Sequence, residues 1–152
     1  MIRPYLIGRT LLDVGAAEGW IGEAAARERG MEVDLVDVVD LNRTELPHRV
    51  YDGRRLPFPD KSRDTVTLLL TLHHCASPGT VLAEAVRVAR SRLIVTESVY
   101  HTRGGRALLR LMDGGLNGMR SEGAMAPALR LGNVSEWRDR FREQGLRIDH
   151  EA

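Results

Sequence analysis

From Asp64 to Leu72 the chain is nearly unbroken in apolar, β-compatible residues, and no other feature narrows the fold as much. A strand with one face in water alternates polar and apolar positions. A run that does not alternate belongs to a strand covered on both faces, as in the middle of a parallel sheet. Such a sheet needs helices on both sides. At nine residues the run is also far too short to span a bilayer as a helix.

The flanking sequence supplies the other layers. Thr10 to Val14 reads as a first strand that breaks at Gly15 and passes into a helix, Trp20 to Arg29, with Ile21, Ala24 and Ala25 on one face and Gly30 as its left-handed stop. A second strand, Glu32 to Asp37, follows after a short turn. Leu41 to His48 is polar and contains Pro47, so a loop or short helix is expected there, then a brief edge strand at Arg49–Tyr51. Leu56-Pro57-Phe58-Pro59-Asp60 cannot be regular structure, because each proline lacks a donor and restricts the residue before it. Ser77-Pro78 opens a helix whose buried stripe is Val81, Leu82, Ala85 and Ala89, and a strand at Arg92 to Thr96 comes next.

Beyond Tyr100 the pattern loosens. A helical piece is expected at Ala107 to Met112, then a glycine-rich stretch from Gly114 to Gly132 whose Met119 and Met125 suit an adaptable lid over a substrate. Asn133 with Glu136 has the spacing of a capping box, Val134, Trp137 and Phe141 share a helical face, and Gly145 ends that helix. Leu146 to His150 alternates like a strand. The reading is α/β, three layers, one domain over residues 1–152, with a doubly wound, mostly parallel sheet.

Composition removes several classes of function. The 22 basic residues, of which Lys61 is the only lysine, face 21 acids, so a net charge of +1 gives no general field for nucleic acid or membrane. One cysteine, Cys75, makes neither an internal disulfide nor a Cys-rich zinc site. No signal pattern opens the chain, and a cytoplasmic location is expected. No metal site is expected, since His73, His74 and Cys75 are neighbours in sequence and converge poorly on one ion. His48, His101 and His150 read as surface residues.

Chemistry concentrates at Asp13-Val14-Gly15-Ala16-Ala17-Glu18-Gly19, where a strand turns into a helix. Small residues at Gly15, Ala17 and Gly19 let a ligand approach the backbone and the helix N-terminus. Asp37, 18 residues after Gly19 at the carboxyl end of the second strand, is placed to accept both hydroxyls of a ribose. A dinucleotide fingerprint wants glycine where Trp20 stands, and Glu18 would set negative charge beside phosphates. A nucleoside cofactor without phosphates fits better. S-adenosylmethionine is of that kind, and acids suit its sulfonium.

These residues, with Asp52-Gly53, Leu56 to Asp60, Asp64-Thr65-Val66, Leu72-His73-His74, Glu84 to Val88 and Arg92 to Val95, resemble class I S-adenosylmethionine-dependent methyltransferases of the small-molecule type. The resemblance is firm over residues 11–98 and thinner beyond. It implies a strand order of 3-2-1-4-5 with a further strand from Leu146, the last hairpin strand of the family being absent, and an S-adenosylmethionine-binding domain. It implies that Asp13 and Gly15, Ala16, Ala17, Glu18 and Gly19 cradle the methionine part, that Asp37 holds the ribose, that Asp52 and Gly53 meet the adenine, and that Leu72 and His73 line the sulfonium side. The competing reading of Asp52, an Asx turn closing its strand, is the weaker of the two by a modest margin.

A proton-accepting group is optional in this chemistry, and His73 and His74 are the candidates for it, with packing against the cofactor or a loop carbonyl as the competing role. The expected partner is a small-molecule methyl acceptor, with a homodimer as one way to complete the sheet. Departures from the family pattern are Ala17 for a glycine, Arg63 for an aromatic, and Ala89-Arg90-Ser91 for Pro-Gly-Gly. Three competing readings remain: a non-catalytic binding module or heteromer subunit, a nicotinamide-dependent reductase, and an RNA ribose methylase. The last is disfavoured by the lack of lysines, and Arg54, Arg55, Arg103, Arg106, Arg110 and Arg120 read as a solvated face.

Overall fold

A computed structural model describes residues 2–120 and 130–151. Five strands, β1 (Thr10–Val14), β2 (Glu32–Asp37), β3 (His48–Val50), β4 (Arg63–Leu69) and β5 (Ala89–Thr96), form one parallel sheet in the order β3-β2-β1-β4-β5. The helices are α1 (Trp20–Arg29), α2 (Pro78–Val88), α3 (Arg103–Arg120) and α4 (Val134–Glu143). This is the doubly wound α/β fold with the strand order the resemblance implies.

Strand periodicity divides the core in two. Leu12, Val14, Val36, Val66 and Leu68 face α2 and α4, meeting Val81, Leu82, Ala85, Val88 and Trp137. Leu11, Val33 and Leu35 point the other way, onto Ala25, Met31 and Leu6. Each fully buried Leu or Val contributes roughly 1.5–3 kcal/mol. α1 lies close to the sheet because Gly22 has no side chain: a Cβ there would fall 2.6 Å from Leu35 and 3.1 Å from Val33.

The Leu56–Asp60 crossover has no regular structure, yet it is tied down. Arg87 of α2 donates to the carbonyls of Leu56 and Phe58 and to Asp60, while Glu84 accepts the Leu56 N–H at 2.9 Å. Arg63, the departure from an aromatic, lies over the Phe58 ring and pairs with Asp34, so a charge is carried into a half-buried position with its partner.

Several expectations need correcting. β4 ends at Leu69, not Leu72, because Leu70 adopts a left-handed φ of 58° and Leu72–His74 form a 3-10 turn. β5 begins at Ala89: without Pro-Gly-Gly nothing forces a turn, and the chain passes straight from α2 into the strand. The third strand is His48–Val50. α3 runs through Gly114, Gly115 and Gly118 to Arg120, well past Met112. Residues 121–129 of the proposed lid, including Gly123, Met125 and Pro127, lie outside the described residues, and Gly132 at its end forms a bridge with Val99.

Leu146 to His150 pairs with no strand. The segment instead lines a groove against β5, where His150 stacks on Tyr5 and Asp149 approaches Arg92. His48 is no surface residue either: its side chain is 8% exposed and its Nδ1 lies 3.3 Å from Asp40.

Candidate functional site

The carboxyl ends of β1, β2 and β4 meet at the turn from Gly15 to Gly19, the edge where open α/β sheets take ligands. Gly15 has φ +72°, and a Cβ on it would fall 2.3 Å from Thr71 Cγ2. Thr71 earns that closeness, since its hydroxyl reaches the Val14 carbonyl at 3.1 Å and so staples the end of β1 to the loop after β4. Four amides of the turn are engaged within the chain. Gly15 and Ala16 donate to the Val36 carbonyl, Gly19 to that of Ala16, and Ala17 to Asp37 Oδ2 at 2.9 Å.

A phosphate-binding turn presents those donors outward. Here they are spent, which favours a ligand without phosphates. Trp20 plays no part in that preference: it is 52% exposed, and the close helix–sheet contact falls on Gly22.

Asp37 closes β2 with each carboxylate oxygen accepting one backbone N–H, from Ala17 and from Val38. It holds Ala17 at φ 47°, a backbone region that glycine enters more easily than alanine. The side chain is half-buried, and each oxygen keeps a lone pair for a ligand hydroxyl. Beside it Val38 is 53% exposed, and its Cγ1 lies 3.3 Å from where a Cβ on Gly53 would be. An apolar wall next to an acid with lone pairs to spare has the chemistry suited to a ribose and the flat base attached to it.

Asp52 is exposed and accepts from the N–H groups of Arg54 and Arg55, the Asx-type turn that was its competing reading, and those bonds hold its carboxyl below the usual range.

Asp13 sits beneath the turn at 3% exposure, its carboxylate 2.6 Å from the Thr67 hydroxyl. Burial pushes its carboxyl up to about 6, against the pull of the Thr67 bond and with help from the Asp37 charge. The folded chain therefore binds this proton more tightly than the unfolded one. The stabilisation is complete below about pH 4 and is lost as pH rises through about 6. Across that window the wild type should lose up to about 3 kcal/mol relative to Asp13→Asn. Urea denaturation of both proteins from pH 4 to 7.5 measures this, and curves that stay parallel would remove Asp13 as the source.

On the β4 side Leu72 is fully buried and His73 is 2% exposed. Glu97, just past β5, explains both. Its Oε1 accepts the Leu72 N–H at 2.7 Å, and its Oε2 meets His73 Nδ1 at 2.5 Å. His74 is half-buried, with its ring centroid 4.1 Å from that of His73. Cys75 has its thiol pushed up to about 11 by burial and then by the Glu97 charge, so it stays protonated.

Glu97 was invisible in the sequence reading; an acid at the carboxyl end of a buried strand is its only local signal. Leu70, left-handed and 50% exposed at the same edge, carried none. Among the described residues no cluster of three or more His, Cys, Asp or Glu is arranged to hold a metal ion, and no helix is long and apolar enough to cross a membrane.

Comparison with known proteins adds the family. A model described as a methyltransferase domain matches residues 12–94. A demethylmenaquinone methyltransferase of Renibacterium salmoninarum is 32% identical over 106 residues, which is 64% of this chain and 44% of that enzyme. The chain thus spans less than half the length of this curated relative.

An S-adenosylmethionine-dependent methyltransferase from Methanosarcina mazei superposes with a TM-score of 0.73 at 19% identity, over 98% of this chain and 85% of that one. The [4+2]-cyclase SpnF superposes with a TM-score of 0.71 at 21% identity, over 94% of this chain and 52% of that one. At such identities the likeness is one of fold, and the fold hosts more than one chemistry.

Proposed function

Because the chain belongs to the methyltransferase-domain family, whose cofactor is S-adenosylmethionine, we propose that it moves the cofactor's methyl group to a small-molecule acceptor at the sheet edge over the Gly15–Gly19 turn. The observation that carries this reading is Asp37: a half-buried carboxylate at the carboxyl end of β2, fixed by two backbone donors beside an exposed apolar wall. When bound there, S-adenosylmethionine supplies a methyl group on a positively charged sulfur, already activated for in-line displacement.

The chain's own residues then bind and orient. Asp37 accepts the ribose hydroxyls, Val38 and Gly53 flank the base, and the small residues of the Gly15–Gly19 turn give the amino-acid tail close approach. The buried Asp13 supports the turn from below. Leu72 and His73, clamped by Glu97, form the rigid floor on the β4 side. His74, the more accessible of the two histidines, is the group for taking a proton when the acceptor carries one. Alignment and exclusion of water account for most of the work in such a displacement. The Renibacterium salmoninarum relative is a demethylmenaquinone methyltransferase, which supports a small organic acceptor here as well.

Calorimetry with S-adenosylhomocysteine tests the site. Asp37→Ala should weaken binding by about 1–3 kcal/mol, the scale for leaving hydrogen-bonding groups unmatched. An unchanged dissociation constant removes Asp37 from the site, and binding of NAD with none of S-adenosylhomocysteine overturns the family's cofactor for this chain. Tritiated methyl transfer over a panel of acceptors then separates an enzyme from a binding module.

A further inference from the structure

A second cavity, of about 530 Å³, opens next to the loop that follows β4. It is bounded by Ala76, Tyr100 and Glu136, and by three arginines far apart in sequence: Arg106 of α3, Arg130, and Arg140 of α4. The Arg130 N–H donates to the His73 carbonyl at 3.0 Å, and Ala76 lies two residues past His74, so the cavity abuts the β4 side of the proposed site.

Guanidinium groups stay charged at any working pH, and bringing three together is unfavourable unless something negative is shared among them. Elsewhere this chain pairs its arginines with acids: Arg63 with Asp34, Arg87 with Glu84 and Asp60, Arg90 with Asp64, Arg138 with Glu151. Among the described residues the three cavity arginines have no such ion pair. Among the described residues Glu136 is the one carboxylate in the lining, and its Oε2 already accepts the Asn133 N–H at 2.8 Å and the Tyr100 hydroxyl at 3.4 Å. The described lining is left with a net positive charge.

The arginines are also held ready. Arg140 lies 4.4 Å over the Trp137 ring, and Arg106 lies 5.6 Å from the Tyr100 centroid. Stacking uses the face of a guanidinium and leaves its edge N–H groups free to donate. One of them, Arg140 Nη1, is buried with no acceptor, a costly state for a charged donor.

We infer that this cavity binds the anionic group, carboxylate or phosphate, of the small molecule that the neighbouring site methylates. The volume suits a small organic ligand and not a polymer, and three planar forks are the chemistry that recognises either anion. The identification of that ligand as the acceptor rests on the proposed methyl transfer; the anion site itself does not.

The test is calorimetric titration of the full chain with inorganic phosphate and, separately, with benzoate, at constant ionic strength. Saturable binding of one or both is expected, and the arm that binds identifies the anion class. Arg140→Gln should weaken it about tenfold or more, as should Arg106→Gln, which alters only an exposed side chain of α3 and leaves the fold intact. S-adenosylhomocysteine affinity should stay within about twofold in both variants. Absence of saturable binding in both arms, or equal affinity in Arg106→Gln and wild type, overturns the anion site. Retained anion binding in a chain that fails to bind S-adenosylhomocysteine overturns the methyltransfer reading instead, and with it the identification of the ligand as acceptor.

Discussion

Gly15→Val is expected to abolish S-adenosylhomocysteine binding and to lower stability by roughly 3–5 kcal/mol. Two costs combine. At φ +72° an L side chain meets its own carbonyl, at about 1–2 kcal/mol, and more for a β-branched residue. In addition the new Cβ would lie 2.3 Å from Thr71 Cγ2 and 2.6 Å from its Oγ1, and overpacking of that kind costs about 1–3 kcal/mol. Relief requires Thr71 to move, which breaks its bond to the Val14 carbonyl and frees the turn. Gly15→Ala with Thr71→Ala separates the two costs, since it removes most of the collision and keeps the backbone strain. Urea denaturation measures the stability and calorimetry the binding. A valine variant that binds within threefold of wild type would show that the turn is not the cofactor seat.

The second large effect is expected at Glu97. Glu97→Ala strips the acceptor from the buried Leu72 N–H and from His73 Nδ1 at once, in a place where both side chains of the pair are under 5% exposed. Breaking a buried pair by removing one partner costs about 3–5 kcal/mol. Glu97→Gln keeps a carbonyl oxygen for the Leu72 N–H and should recover part of the loss. Denaturant midpoints for the three proteins give the comparison. A loss below about 1 kcal/mol in the alanine variant would mean that water reaches the pair in solution.

These two residues differ in how readily a sequence gives them away. Gly15 was legible because it interrupts an apolar run just where a helical pattern begins, and Asp37 because it ends the next run at a fixed interval. Glu97 was not, because its partners Leu72 and His73 are 25 and 24 residues away and meet it only when β4 and β5 pair. The strands at Thr10–Val14 and Glu32–Asp37 were readable to the residue, since Gly15 stops the first and Gly30, before the second, ends the helix between them.

The end of β4 was not readable, because composition stays apolar through Leu72 while Leu70 turns left-handed. Alternation at Leu146–His150 misled for a related reason: a strand is made by its neighbour, and that segment has none in the sheet. The capping box at Asn133 and Glu136 is wholly local, and both of its bonds are present. The arginine cavity is the opposite case, assembled from Arg106, Arg130 and Arg140 by packing alone.

Arg87 gives the Leu56–Asp60 crossover a property that its two prolines and its lack of ladder bonds would not suggest. One guanidinium spans two carbonyls of that segment, the Asp60 carboxylate and Glu84 on its own helix. A clasp of this kind ties the opening of the irregular loop to that of α2, so proteolysis of the segment should follow the timetable of the helix beneath it and not of the surface it lies on.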